Sequence, residues 1–124
     1  MRQQIIRHAK EELPLEACGL ISGKKGRGET FWKVRNIDQS PHSFTMAKEE
    51  VQSIFQTIKA AGEELTGIFH SHPTAQPYPS PEDIAFARYP DAAYCILSLA
   101  FQPELRCYHI QDGHVSELNI TKIK

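Results

Sequence analysis

Two histidines that lie one residue apart, His70 and His72, are the side chains of this sequence best placed to bind a metal ion. In an extended segment, residues i and i+2 point to the same side, so both imidazoles can face one ion. Asp83 follows His72 by 11 residues. Two imidazoles and one carboxylate can hold zinc and leave a fourth tetrahedral position open, as a catalytic zinc site requires.

The segment between His72 and Asp83 is typical of a stiff turn that leads into a helix. It is rich in proline, and Ser80 is a favoured residue at a helix N-cap. Pro81 suits the first helical position, and Glu82 and Asp83 complement the positive end of the helix dipole. This turn is therefore expected to bring the carboxylate of Asp83 back towards the two histidines.

The hydrophobic pattern predicts an α/β fold in which helices flank a mixed β-sheet. Val51, Ile54, Phe55 and Ile58 recur at helical spacing, and Asp112-Gly113 is a hairpin signal. The element order is helix, strand, strand, helix, strand, short helix and three strands, which favours a mixed sheet. The predicted helices cover residues 2–13, 47–61 and 80–88, and the predicted strands cover residues 16–22, 30–37, 65–70, 93–99, 104–110 and 115–120.

Length and charge limit the classes of function. The 124 residues suit one domain, 1–124, and the net charge of -1 provides no broad basic surface for nucleic acid. The longest nearly apolar run, Ala92–Phe101, is half the length of a membrane span. The polar N-terminus does not resemble a signal peptide, so a cytoplasmic location is expected. Cys18, Cys95 and Cys107 lie far apart, which predicts buried thiols and argues against a cysteine-based zinc site.

The spacing around the histidines resembles the signature of the JAMM (MPN-plus) zinc metallopeptidases. In this sequence it runs His70-x-His72, seven residues, Ser80, two residues, Asp83. The family also has an upstream glutamate where a strand begins, and Glu16-Ala17-Cys18-Gly19-Leu20 is similar to that segment. The resemblance to small prokaryotic members covers essentially the whole chain. It implies a single-domain JAMM/MPN fold of the cytidine-deaminase-like kind.

This resemblance implies a role for each residue of the signature. His70, His72 and Asp83 resemble the ligands of one zinc ion per chain. Glu16 resembles the general base, and Ser80 resembles the residue whose hydroxyl stabilises the oxyanion. The most similar branch hydrolyses the peptide bond after the Gly-Gly tail of a ubiquitin-like sulfur-carrier protein, for example releasing cysteine. Such a carrier or its conjugate is the expected partner.

Three other functions are alternatives to this one. A non-catalytic MPN scaffold is disfavoured because every position of the signature is filled. A phage-tail or cell-wall peptidase usually carries the same signature within a larger protein. A nucleobase deaminase needs His-x-Glu and Pro-Cys-x-x-Cys, and neither occurs in this sequence.

Other titratable residues are expected to be ordinary. Glu11 and Glu12 are rival candidates for the base, but both are predicted to lie on the exposed side of the first helix. His8 is expected at the surface of the same helix. His42, His109 and His114 are expected to have surface or structural roles.

Overall fold

The computed structural model describes residues 1–119, which contain three helices and six strands. Their bounds are α1 (Arg2–Glu11), β1 (Cys18–Gly23), β2 (Thr30–Val34), α2 (Lys48–Ala60), β3 (Glu64–His72), α3 (Pro81–Ala85), β4 (Ala93–Ser98), β5 (Glu104–Gln111) and β6 (His114–Leu118).

The six strands form one mixed sheet in the order β2-β1-β3-β4-β5-β6. β3 and β4 are parallel, and the other neighbouring pairs are antiparallel. The predicted fold class, a mixed sheet flanked by helices, is confirmed. Because β1 runs antiparallel to β3, Cys18 at the start of β1 lies opposite His70 near the end of β3. This pairing brings the segment before β1 next to the histidines.

Helices cover both faces of the sheet. Alternate residues of β3 point to opposite faces, so Phe69 belongs to the core beneath α1 and Ile68 to the core beneath α2 and α3. Ile84 of α3 packs against this second core. His70 and His72 share the orientation of Ile68, which places both rings on the face that carries α2 and α3.

Helix α2 confirms the predicted helix of residues 47–61 to within one residue at each end. The other two helices end earlier than predicted. α1 stops at Glu11, ahead of Pro14, rather than at residue 13. α3 stops at Ala85 rather than near residue 88, because the N–H groups of Arg88 and Tyr89 donate to the Tyr94 hydroxyl, each at 2.9 Å, instead of to helix carbonyls.

Three strand boundaries near the histidines also differ from the prediction. β3 continues through His72 rather than ending at residue 70, because its last residues pair with β4 as far as Ser98. β1 begins at Cys18 rather than at Glu16, whose N–H donates to the Ser40 carbonyl at 2.9 Å. β2 ends at Val34, three residues before its predicted end.

The predicted Asp112-Gly113 hairpin joins β5 and β6. Both residues have positive φ, 53° and 80°, as a two-residue type I′ turn requires. β6 covers His114–Leu118, whereas the predicted strand was 115–120, and Ile120 lies outside the described residues.

Two expectations from composition concern the membrane and the thiols. Within residues 1–119, no helix is both long and apolar enough to cross a bilayer. The cytoplasmic location stays a prediction. Cys18, Cys95 and Cys107 are free and buried, as predicted.

Candidate metal centre

Three side-chain atoms that can bind a metal ion converge where β3 ends and α3 begins. The Nε2 atoms of His70 and His72 are 3.1 Å apart. The Oδ2 atom of Asp83 lies 3.0 Å from Nε2 of His70 and 3.2 Å from Nε2 of His72. These residues form a group that could hold one metal ion. The structure therefore brings together the three side chains that were predicted to be ligands.

The ring of His72 is oriented by a main-chain carbonyl. Its Nδ1 atom lies 2.8 Å from the carbonyl oxygen of Gln76, so Nδ1 carries a proton and donates it. In the neutral ring, Nε2 then directs a lone pair at the carboxylate of Asp83. Two electron-rich atoms in contact need a cation between them, either a proton or a metal ion.

The distances between Nε2 of His70, Nε2 of His72 and Oδ2 of Asp83 fit a zinc site. Zinc binds histidine nitrogen at about 2.0–2.1 Å, so two ligand atoms on such a tetrahedron are about 3.3–3.4 Å apart. The observed separations of 3.0–3.2 Å are close to that value. Two imidazoles and one carboxylate also match the donors of zinc sites that keep an open position. The side chains present thus suit this ion.

Burial and the mutual contacts shift the pKa values of the three residues. Burial lowers the pKa of His70. Burial also acts to lower the pKa of His72, but contacts with Asp83 and Gln76 outweigh it and raise this pKa. Burial acts to raise the pKa of Asp83, whereas hydrogen bonds with both histidines hold it well below its usual range. Asp83 is therefore ionised at neutral pH and supplies negative charge for a cation.

An aromatic ring covers the other histidine of the group, His70. His70 is 1% exposed, and its ring stacks on Phe44 with centroids 4.6 Å apart and planes inclined by 22°. Its Nδ1 atom has no hydrogen-bond partner among the described residues. The sequence did not indicate Phe44, because a single aromatic residue in a loop carries no spacing signal.

Ser80 and Asp83 form the capping box at the start of α3. The Oγ atom of Ser80 accepts a hydrogen bond from the Asp83 N–H at 3.1 Å, and Oδ2 of Asp83 accepts one from the Ser80 N–H at 2.9 Å. The predicted N-cap is confirmed. Because the cap uses the Ser80 oxygen only as an acceptor, its hydroxyl proton is free of that bond.

The carboxyl group of Glu16 is buried, and the charges of His72 and Asp83 act on it. Glu16 is 5% exposed, and its Oε1 atom has no hydrogen-bond partner among the described residues. Burial raises its pKa to about 8; His72 opposes this shift, and the carboxylates of Asp83, Glu82 and Asp38 add to it. Such a carboxyl group can hold or release a proton near neutral pH, as a general acid or base must.

This pKa predicts how the stability of the metal-free protein depends on pH. Glu16 ionises near 4.5 when exposed and near 8 in the fold, so the folded state loses stability as pH rises between those values. Glu16→Gln should remove this loss, which is on the order of a few kcal/mol. Urea unfolding with chelator at pH 5 and pH 8.5 measures it. Equal differences between wild type and variant at both pH values would contradict the prediction.

The loop between the histidines and α3 is bound to the sheet through three successive carbonyl groups, those of residues 75–77. The first accepts from the Ser98 hydroxyl at 2.7 Å, and the second accepts from the His72 ring at 2.8 Å. The third accepts from the Tyr108 hydroxyl. Each donor belongs to a different strand, so the sheet itself fixes the carbonyl that orients His72.

Two of the other titratable residues, Glu11 and His8, make contacts outside this group. Glu11 is exposed and lies 3.8 Å from Lys33, as expected for a surface residue. The expectation for His8 was wrong: it is 6% exposed, and its Nε2 donates to the Cys18 carbonyl at 3.0 Å. This histidine therefore ties α1 to β1 and has a structural role.

A comparison with known families agrees with this geometry. The sequence model of the family described as prokaryotic homologs of the JAB domain matches residues 1–111. The chain belongs to this prokaryotic JAB family. The resemblance seen in the sequence is thus confirmed at the level of the family and its small prokaryotic branch.

The relatives of this chain include proteins that are named as peptidases. The chain is 34% identical over 117 residues to the CysO-cysteine peptidase of Mycobacterium tuberculosis. This alignment covers 91% of this chain and 80% of the relative. The chain is 35% identical over 104 residues to the desampylase of Haloferax volcanii, covering 78% and 75%. The solution structure of protein DSY2949 from Desulfitobacterium hafniense superposes with a TM-score of 0.87 at 34% identity, covering 99% of this chain and 88% of that one.

Proposed function

We propose that this protein is a zinc-dependent peptidase that hydrolyses the peptide bond after the Gly-Gly tail of a ubiquitin-like sulfur-carrier protein, for example releasing cysteine. The observation that carries the proposal is the convergence of His70, His72 and Asp83 next to the buried carboxyl group of Glu16. Membership of the JAB family and relatives named as a cysteine peptidase and a desampylase support it.

In this proposal His70, His72 and Asp83 hold one zinc ion. When bound, zinc would supply Lewis-acid polarisation of a carbonyl and a lower pKa for water. The carboxylate of Asp83 offsets one of its two charges, and the neutral rings offset none. The pKa of Glu16 falls when positive charge is held at these residues, so Glu16 is then a carboxylate that can accept a proton.

Glu16 acts as the general base and acid. Its carboxylate removes a proton from the attacking water and delivers that proton to the amine that leaves when the peptide bond breaks. The buried position limits competing contacts with bulk water. Burial raises this pKa and so works against the effect of a bound cation, which keeps the proton that Glu16 accepts available for delivery.

Ser80 donates its hydroxyl proton to the oxygen that gains negative charge as the carbonyl is attacked. Ser80→Thr, which keeps both cap and hydroxyl, should retain most activity. Ser80→Gly removes the hydroxyl but costs the helix cap only about a few tenths of a kcal/mol, and it should lower kcat about 10²–10³-fold. Steady-state rates together with thermal unfolding separate the two roles. A Gly variant with wild-type kcat would show that Ser80 is only a helix cap.

The substrate assignment is tested with a small ubiquitin-like carrier protein that ends in Gly-Gly-Cys. We expect the zinc-loaded protein to release free cysteine, as detected by mass spectrometry, and the chelated protein to release none. A carrier that ends in Ala-Ala-Cys is the matched control, because added side chains restrict an extended tail. Cleavage of cell-wall peptides but not of the carrier would favour the cell-wall hypothesis. About one zinc per chain without any cleavage would favour the non-catalytic one.

A further inference from the structure

A single buried amide links several parts of the site. Asn36 follows β2 and is 2% exposed. Its Nδ2 group donates to the carbonyls of Glu16 and Ser43, each at 3.0 Å. Its Oδ1 atom accepts from the N–H groups of Asp38 at 3.0 Å and Thr45 at 3.2 Å. Two donors and two acceptor positions exhaust the capacity of a carboxamide, so all of it serves these contacts.

These contacts fix the main chain of Glu16 from one side. The carbonyl of Glu16 accepts from Asn36, and its N–H donates to the Ser40 carbonyl at 2.9 Å. Both main-chain polar groups of Glu16 are thus bound to the segment of residues 36–45. The same segment carries Phe44, which stacks on the ring of His70.

Ser71 fixes the chain from the other side. This residue lies between the two histidines, is fully buried and points to the opposite face of the sheet. Its Oγ atom accepts from the Ala17 N–H at 2.8 Å, and its own N–H donates to the Ala17 carbonyl at 2.9 Å. The residue directly after Glu16 is therefore bound to the strand that carries the two ligands.

The side chain of Glu16 has no comparable fixation. Its Oε1 atom is buried and lacks a hydrogen-bond partner among residues 1–119. The place of this carboxyl group therefore depends on the main chain that carries it, because no hydrogen bond to Oε1 holds it independently. A displacement of about 1 Å can cost about 10²-fold in rate when a reacting group is misplaced.

We propose that Asn36 and Ser71 are positioning residues for Glu16, which hold its main chain between the 36–45 segment and β3 so that its carboxyl group faces the substrate. The inference rests on the proposed role of Glu16 as the base. Neither residue touches the reacting atoms.

Two variants test it in the zinc-loaded protein. Asn36→Asp keeps the size and both acceptor positions but removes the amide donors, and Ser71→Ala removes one acceptor. Each should lower kcat about 10- to 100-fold, with KM within about twofold and zinc still near one per chain. Ser22→Ala is the control, since Ser22 is equally buried but bonds Glu63 and Trp32 at the far end of β1. It should lower thermal stability and leave kcat within about twofold.

Double variants with Glu16→Gln show whether Asn36 and Ser71 act by positioning Glu16 or only by stabilising the fold. In a Glu16→Gln background, neither substitution should lower kcat further, because the group that it positions is already gone. Additive losses, or zinc released by Ser71→Ala, would overturn the inference. If Asn36→Asp yields no folded protein, Ser71→Ala decides alone. Full activity of Glu16→Gln by itself would contradict the proposed function instead.

Discussion

Glu16→Gln is expected to lower kcat for carrier cleavage by about 10²–10⁴-fold while the protein still binds about one zinc per chain. Gln has nearly the same shape but neither accepts nor delivers the proton, and general acid–base catalysis contributes a factor of this size. KM should change little, because the lost interaction belongs to the transition state. Steady-state kinetics with mass-spectrometric detection, together with metal analysis, measure both quantities.

The matched control for Glu16 is Glu11→Gln. Glu11 was a rival candidate for the base, but it is exposed on α1 and lies near Lys33. We expect kcat of this variant to stay within about twofold of wild type, as for surface substitutions in general. Wild-type activity of Glu16→Gln, or a large loss in Glu11→Gln, would show that the base had been assigned to the wrong carboxylate.

Asp83→Asn is expected to reduce zinc affinity by at least about 10²-fold and to abolish turnover at low micromolar zinc. The substitution keeps the size of the side chain and an oxygen that can accept from the Ser80 N–H, so the cap can persist. It removes the negative charge that two hydrogen bonds with histidine hold ionised. Competition with a chromophoric chelator measures the affinity independently of activity.

Glu82→Gln is the control for charge alone. Glu82 precedes Asp83 in the first turn of α3 and is exposed. Its loss should change zinc affinity less than about threefold, because an exposed charge is screened by solvent. Equal losses of affinity in both variants would mean that general electrostatics, rather than ligation by Asp83, accounts for metal binding.

Much of the fold followed from local signals. The period of Val51, Ile54, Phe55 and Ile58 predicted α2, and the turn chemistry of residues 112–113 predicted the last hairpin. Boundaries were less predictable because they depend on distant partners. β3 reaches His72 because β4 pairs with it. α3 ends before residue 88 because the N–H groups of Arg88 and Tyr89 donate to the Tyr94 hydroxyl of β4.

The candidate site also contains some features that local sequence signals predict and others that they do not. The proximity of His70, His72 and Asp83 was predictable, since alternation along a strand and a capped helix are local properties. Asn36, Phe44 and the carbonyl of Gln76 were not. Asn36 acts through long-range contacts with main-chain groups, and every residue type offers the carbonyl that Gln76 provides. The catalytic and ligand roles themselves stay predictions.

One oxygen atom, Oδ2 of Asp83, both closes the capping box of α3 and faces the two histidines. A helix of five residues has little stability of its own. Formation of this helix and binding of a cation are therefore linked equilibria, and each must favour the other by the same factor. Removing the metal with a chelator would then lower the population of helix α3 as well as the catalytic activity. A partner that binds α3 and stabilises it would raise the affinity for the metal without contacting the site.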